Sequence, residues 1–352
     1  MPKGMRYLLL ALVVLLGVAS CKSKPEPKPL VGRYYSGVLF SKPYHIDVVG
    51  DSTDFQSQFD SIIHVYESLL NGLDPKSLIS KINAFASDDS VFVFDDSTRA
   101  FGLVYDIAKD LHRQTMQYYD PTVTPMKRAW MVTKSRGELE PNLDSLFDFV
   151  GFDHSQSGEI LIDLNETTTD GYTYKESQIR KRDARVELDF TTISAAAALD
   201  QIAQWLRDRK VSQFRIKYGQ SVLSEGSTVD TLSVIPIGIG MDSSDQYIRL
   251  QRGAFACRTA MDKMSMIDPT YGYPVDNEIV YVAIHAPSLV EAEVFSEAFM
   301  IMGLERAMEY YNNNETSKIE SFMFYGKQEM LQSASTEGFD RLMILADSTA
   351  AP

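Results

Sequence analysis

From residue 34 to the C-terminal tail, helix-like and strand-like stretches follow one another with no linker, no internal repeat and no regular βαβ alternation. That order disfavours a doubly wound parallel sheet and points to a single α+β domain of mixed strands and helices. Apolar residues recur at helical spacing over 53–72 (Phe55, Phe59, Ile62, Ile63, Tyr66, Leu69, Leu70) and over 98–116 (Phe101, Val104, Tyr105, Ala108, Leu111). A third helix is expected over about 194–209 with Ser194 as N-cap, and a fourth from Ser288 to a stop at Gly303. Strands are expected at Tyr44–Val49, Val91–Phe94, Glu159–Asp163, Arg185–Phe190, Gln213–Tyr218, Leu232–Ile239, Gln246–Leu250 and Ile279–His285.

Charge narrows the partners. The 352 residues carry 34 Lys+Arg against 48 Asp+Glu, a net charge of −14 with no compensating basic stripe. Nucleic acid is excluded as an expected partner, and so is attachment to anionic lipid by charge alone. Two cysteines rule out a disulfide framework or a cysteine-rich metal site. Lys3 and Arg6 precede the apolar run Tyr7–Gly17, which is shorter than the about 20 residues a spanning helix needs. Val18-Ala19-Ser20-Cys21 follows, so residues 1–20 read as a secretory leader and Cys21 resembles the lipidated residue of a bacterial lipoprotein. Residues 21–33 form a Pro- and charge-rich tether, and the domain spans 34–348. The expected address is a membrane-anchored lipoprotein facing the periplasm or cell exterior. Cys257 then has no partner and reads as a small buried hydrophobe.

Four segments interrupt apolar elements with polar or small residues. Tyr119-Asp120-Pro121-Thr122-Val123-Thr124-Pro125-Met126 is a stiff turn presenting Asp120 and Thr122, either a site or a corner with an Asx-type turn. Leu188–Ser194 running into Ala195–Ala198 offers free N–H groups at a helix start, or close helix–sheet packing. Met266–Pro274 holds consecutive Asp-Pro and Gly-x-Pro turns. After Pro287, Glu293 and Glu297 share one face of a helix whose Phe295, Phe299 and Met302 suggest burial. Like charges at that spacing cost roughly 0.2–0.5 kcal/mol in an isolated helix. Near a core they need counter-charge, for which a hard divalent cation is the natural choice; a solvated acidic face is the alternative.

In this order the segments resemble the ApbE family, the FAD:protein FMN transferases. Gly37-Val38-Leu39-Phe40-Ser41-Lys42-Pro43-Tyr44 is similar to the family's G-x-x-M-G-T-x-Y, and Leu73–Asn83 to its Y-x-x-x-S-E-[IL]-S-x-[IL]-N. Tyr118–Met126 with Trp130 resembles A-F-D-P-T-V-G-P-L…W, the most specific match. Asp189–Asp200 is similar to D-L-G-x-[IV]-A-K-G-x-A-x-D, Ile267–Pro274 to H-I-I-D-P-x-T-G-x-P, and Ala292–Gly303 to A-D-A-L-S-T-A…M-G. The resemblance implies a single T-fold-type α+β domain and Mg²⁺-dependent transfer of FMN from FAD to a Thr of a partner flavoprotein, releasing AMP. It carries the isoalloxazine pocket to Phe40, Leu73, Tyr118, Tyr119 and Met266, and polar and phosphate contacts to Asp120, Asp189 and Ala195. The metal ligands fall on the Thr192 carbonyl, Glu293 and Glu297, with Asp268 or Asp120 assisting the hydroxyl.

Several positions depart from that pattern. Ala195-Ala196 replaces Lys-Gly, Gly219-Gln220 replaces Gly-Gly, and Ser265 stands where the family has His. Cys257-Arg258-Thr259 stands for Thr-Ser-Gly, and Glu293 and Glu297 replace Asp and Thr. Mg²⁺ demands near-octahedral geometry at about 2.0–2.1 Å, a demand on two longer arms. Three readings follow: a divergent transferase, a degenerate member that binds flavin, nucleotide or protein without transfer, and an FAD pyrophosphatase. The losses at the phosphate end favour the second, with weakened FAD affinity.

Overall fold

The computed structural model describes residues 32–86, 90–152, 161–169, 172–181, 183–233, 246–314, 317–327 and 330–345. The leader, Cys21, most of the tether, the outer parts of the strands expected at 159–163 and 232–239, and the tail beyond Asp347 lie outside these residues. Chain order gives strands β1 (Gly32–Leu39), β2 (Lys42–Val49), β3 (Phe92–Asp95), β4 (Leu161–Thr169), β5 (Tyr172–Arg180), β6 (Phe214–Tyr218) and β7 (Ser221–Ser233). They continue with β8 (Gln246–Thr259), β9 (Ile267–Asp268), β10 (Tyr273–Pro274), β11 (Ile279–Ala286), β12 (Glu320–Tyr325), β13 (Gln332–Ser335) and β14 (Met343–Leu345). The helices are α1 (Gln56–Leu70), α2 (Leu78–Ala84), α3 (Ala100–Gln114), α4 (Thr124–Ser135), α5 (Thr191–Asp208), α6 (Leu289–Asn313) and α7 (Glu337–Asp340).

An antiparallel nine-stranded sheet runs β1-β2-β6-β7-β8-β11-β12-β13, with β14 added on β8. Helix α6 lies on β8 and β11, α5 packs on α6, and α1 on α5. Period-two alternation sorts the central strands between two faces. Ala254, Ala256, Val282, Ile284 and Met323 join the helical core, whereas Phe255, Tyr281, Ala283, Phe322 and Phe324 pack with Phe339 of α7 on the other side. Both faces are therefore covered, which is why β11 reads as a nearly unbroken apolar run. Fully burying one such Phe contributes about 1.5–3 kcal/mol.

Local differences from the sequence reading have identifiable causes. Arg185–Phe190 forms no strand, because side chains and a distant carbonyl take its backbone groups. Asn83 accepts from the Leu188 N–H at 2.8 Å and donates to the Leu188 carbonyl at 2.8 Å, while the Asp189 N–H donates to the Pro121 carbonyl at 2.7 Å. Helix α5 begins at Thr191 rather than Ser194, with Asp189 Oδ1 accepting from the Thr191 N–H at 2.9 Å. Ser194 sits inside the helix, its hydroxyl donating back to the Phe190 carbonyl at 2.7 Å. At Gly303 the backbone turns to φ 78°, but the helix resumes and runs to Asn313. Asn277 takes up the carbonyls freed there, donating to Met300 at 2.9 Å and Ile301 at 3.2 Å, and Glu278 accepts from the Leu304 N–H at 3.0 Å.

Two features fix the frame around the cavity described below. Gly37 pairs with Tyr44 across the β1–β2 hairpin, and the Tyr44 ring lies where a Gly37 Cβ would be, 2.7 Å away. The glycine lets that buried ring lie flat over the hairpin. At the start of α6, Ser288 caps the Glu291 N–H, and Asp200 of α5 accepts from the Leu289 and Val290 N–H groups at 2.9 Å each. Burial outweighs those two hydrogen bonds and pushes the Asp200 carboxyl up to about 7.

Gly37→Ala is expected to destabilise the protein by about 1–3 kcal/mol, read from a urea melt, because the buried Tyr44 ring must move. An unchanged midpoint contradicts this packing. For Asp200, the folded chain keeps a proton that the unfolded chain has released above its ordinary 3.8. Stability therefore falls as pH rises from about 4 to about 7, with a slope of at most about 1.4 kcal/mol per pH unit from this group. Asp200→Asn should remove that part of the slope, and a variant with an unchanged pH profile contradicts it.

Candidate functional site

Between the hairpin tip, the start of α5 and the middle of α6 lies a cavity of ≈ 720 Å³. Binding sites for small molecules span about 300–1,000 Å³, so a nucleotide-sized ligand suits it. The β1–β2 tip supplies Phe40 and Lys42, α4 supplies Lys127, the approach to α5 supplies Asp189, and its first turns supply Thr191, Thr192, Ala195 and Ala196. The β6–β7 turn adds Tyr218–Ser221, the end of β8 adds Cys257, Arg258 and Thr259, and the segment after it adds Asp262, Ser265 and Met266. Glu293 and Glu297 of α6 close the wall.

The hairpin tip is held in a rare conformation. Phe40 and Ser41 both have positive φ, 45° and 66°, as a two-residue turn between Leu39 and Lys42 requires. Each non-glycine residue there costs about 1–2 kcal/mol. The Phe40 N–H donates to Glu67 Oε1 of α1 at 2.9 Å, and the Tyr218 hydroxyl donates to the Leu39 carbonyl at 3.1 Å. Those bonds fix Phe40 at the cavity mouth.

The acidic wall carries its own counter-charge. Glu293 accepts from the Ser221 hydroxyl through Oε1 and from Arg258 Nη2 through Oε2. Glu297 Oε2 accepts from the Thr192 hydroxyl at 2.6 Å. The Arg258 and Glu293 side chains are only 18% and 12% exposed, so this is a buried ion pair. Burial works against the charge on Arg258, but Glu293 and then Glu297 outweigh it and raise its pKa above the ordinary arginine value. Asp189 is pulled in opposite directions. Burial pushes its carboxyl up, while Lys127 and hydrogen bonds from Thr191 and Thr124 more than offset that and lower it. Burial raises the Cys257 thiol, in keeping with a packing role.

Of the residues singled out in the sequence, Phe40, Asp189, Thr192, Ala195, Met266, Glu293 and Glu297 line this cavity together. The others do not line it. Leu73 is 86% exposed. Asp120 is buried and serves its own corner: Oδ1 accepts from the Thr122 N–H and hydroxyl at 2.7 and 2.6 Å, and Oδ2 from the Phe152 N–H at 3.2 Å. Of the two sequence readings, this is the Asx-type corner. Asp268 accepts from the Thr270 N–H at 2.8 Å and opens the turn closed by Gly272. Trp130 pins that turn by donating to the Gly272 carbonyl at 2.7 Å. Tyr118 is buried beneath the Arg306 guanidinium, 6.0 Å from its ring centre. Tyr119 is also buried, and its hydroxyl has no hydrogen-bond partner among the described residues. Sequence reasoning missed Lys42, Lys127 and Tyr218, and noted Arg258 only as a departure. Their signal was position: Lys42 lies within the Gly37–Tyr44 segment, Lys127 follows Met126, and Tyr218 and Arg258 adjoin the departures at Gly219 and Cys257.

The donors present do not fit Mg²⁺ as arranged. Both Glu293 oxygens are already engaged, one by a cation, and the contact made by Thr192 is through its hydroxyl. A hard divalent ion needs several free oxygen ligands at once.

Comparison with known proteins agrees with the fold and the segment order. The chain is 23% identical over 333 residues to the FAD:protein FMN transferase of Vibrio cholerae, covering 88% of this chain and 92% of that one. The Haemophilus influenzae protein of the same name is 21% identical over 338 residues, covering 87% and 89%. Among solved structures, flavin transferase ApbE from Vibrio cholerae superposes with a TM-score of 0.71 at 18% identity, covering 89% of this chain and all of that one. The apo form of Pseudomonas stutzeri flavinyl transferase ApbE gives 0.70 at 17% identity, covering 90% and 98%. The ApbE family itself matches residues 40–323, from the hairpin tip through the acidic helix to β12, and this protein belongs to it.

Proposed function

We propose that the cavity binds FAD, with the flavin toward Phe40 and Met266 and the diphosphate toward Arg258, Lys42 and Lys127, and that Mg²⁺-dependent FMN transfer has been lost. One observation carries the reading: the hairpin tip, the start of α5 and the acidic stretch of α6 meet on one nucleotide-sized cavity, where Arg258 is already paired with Glu293. Three lining cations face four lining carboxylates, Asp189, Asp262, Glu293 and Glu297, so the cavity lacks the positive excess that a tight diphosphate site needs. Asp262 is occupied with its own turn, accepting from the Thr259 N–H at 2.6 Å. FAD binding weaker than micromolar follows.

A second reading, retained transfer to a Thr of a partner flavoprotein, is favoured by the meeting of Glu293, Glu297 and Thr192 on one wall. One experiment separates the two. The protein is mixed with FAD, Mg²⁺ and a carrier bearing a flavinylation motif, then run on a denaturing gel with Glu297→Ala as control. No fluorescent covalent band, with FAD intact, is the expected result. A band lost in the control makes this protein a transferase, and release of FMN and AMP makes it a pyrophosphatase. An FAD titration followed by flavin fluorescence should not saturate at micromolar FAD; Mg²⁺-dependent saturation there contradicts the reading.

The leader ending at Cys21 supports an exported protein anchored through a lipidated cysteine. Cys21→Ser is expected to move the protein from the membrane fraction to the soluble exported fraction. Retention in the membrane contradicts the anchor.

A further inference from the structure

The acidic pair on α6 poses a charge problem that the fold solves internally. Glu293 and Glu297 stand one turn apart on a helix buried against the sheet, and two hydroxyls, Ser221 and Thr192, point at them. An all-oxygen set of two carboxylates and two hydroxyls is the donor chemistry of a hard divalent cation. The cation found there is the guanidinium of Arg258, brought in from the end of β8, which bonds Glu293 and feels the charge of Glu297. That guanidinium is not spent by the pairing. Its hydrogen bonds among the described residues are Nη2 to Glu293 and Nη1 to the Cys257 carbonyl at 3.1 Å. An arginine presents five N–H donors in a rigid fork suited to phosphate, so three remain on a residue that lines the cavity.

We propose that Arg258 is the resident cation of this cavity: it neutralises the Glu293–Glu297 wall, excludes a divalent ion from it, and receives the phosphate end of a nucleotide ligand without metal. The phosphate clause rests on the flavin-nucleotide reading above; exclusion of the divalent ion does not. A mobile metal would bring two charges and leave with the ligand, whereas a covalently held guanidinium brings one and stays. The site is thereby independent of metal concentration and weaker for diphosphates.

The test uses the full chain and Mn²⁺ as probe, with no flavin, followed by loss of the free-ion paramagnetic resonance signal and by thermal melting. The wild-type protein is expected to take up no Mn²⁺ in the millimolar range and to show no shift in Tm. Arg258→Ser, which vacates the carboxylates, should bind Mn²⁺ at least tenfold more tightly than wild type, and its lowered Tm should rise on adding the ion. Adding Glu297→Gln to that variant should abolish the uptake. Arg258→Lys keeps a cation and should behave as wild type. Mn²⁺ uptake by the wild type that Glu293→Gln removes would overturn the proposal, as would a folded Arg258→Ser protein that takes up none. If Arg258→Ser folds only with metal, refolding in Mn²⁺ but not in EDTA supports the proposal, and failure in both overturns it. In a separate arm, FAD affinity should be equal in EDTA and in Mg²⁺ and drop at least tenfold in Arg258→Ser. A requirement for Mg²⁺ overturns the metal-free clause. Absence of any FAD binding overturns the flavin reading and leaves resident cation to the Mn²⁺ arm.

Discussion

A carboxylate on a helix buried against a sheet needs a counter-charge from its own fold, and for Glu293 that counter-charge is Arg258. The pair joins α6 to the end of β8, and the hydroxyl of Ser221 adds β7 to the same junction. Removing one partner of a buried pair is destabilising by about 3–5 kcal/mol, because the other charge is left alone in a poor solvent. That is a large share of the 5–15 kcal/mol by which a typical domain is stable. The wall of the cavity is therefore a structural joint. Its geometry is set before any ligand arrives.

The surrounding elements keep that joint in place. Asp200 ties α5 to the first turn of α6, which sets how far along the sheet Glu293 and Glu297 stand. Thr124 reaches Asp189 at 2.9 Å and links α4 to the start of α5, so Lys127 and Thr192 face the same space. Across the cavity, the hairpin tip is anchored by Glu67 and Tyr218, holding Phe40 in a backbone conformation it would not adopt unaided. Strain of this kind persists only where neighbours over-determine it, which is common at ligand sites.

Much of this was legible in the residues. The helical spacing of Phe55–Leu70 and Phe101–Leu111, the helix start near Ser288, and the strands from Tyr44, Gln213 and Ile279 all correspond to elements of the fold. The spacing of Glu293 and Glu297 correctly signalled two carboxylates on one partly buried face. What was not legible depended on partners far away in sequence. Arg185–Phe190 has strand-like composition, but Asn83, about a hundred residues earlier, takes up its backbone groups. Gly303 looks like a helix stop, yet Asn277 and Glu278 satisfy the broken turn and the helix continues. Asp120 has the form of a site residue, and the distant part of its corner is the 151–152 backbone, with Gly151 donating to the Thr122 hydroxyl and Phe152 to Asp120. The identity of the cation on the acidic wall belonged to the same class, because Arg258 and Glu293 lie 35 positions apart.

Crystallography decides whether Arg258 occupies the place of a divalent ion in this cavity. Crystals of the wild-type protein grown with FAD and soaked in Mn²⁺ would be measured for anomalous scattering at the manganese edge. No peak is expected between Glu293, Glu297 and Thr192, with Arg258 on Glu293 and within hydrogen-bond distance of a phosphate oxygen. A manganese peak between those carboxylates, with the guanidinium swung away, would contradict it.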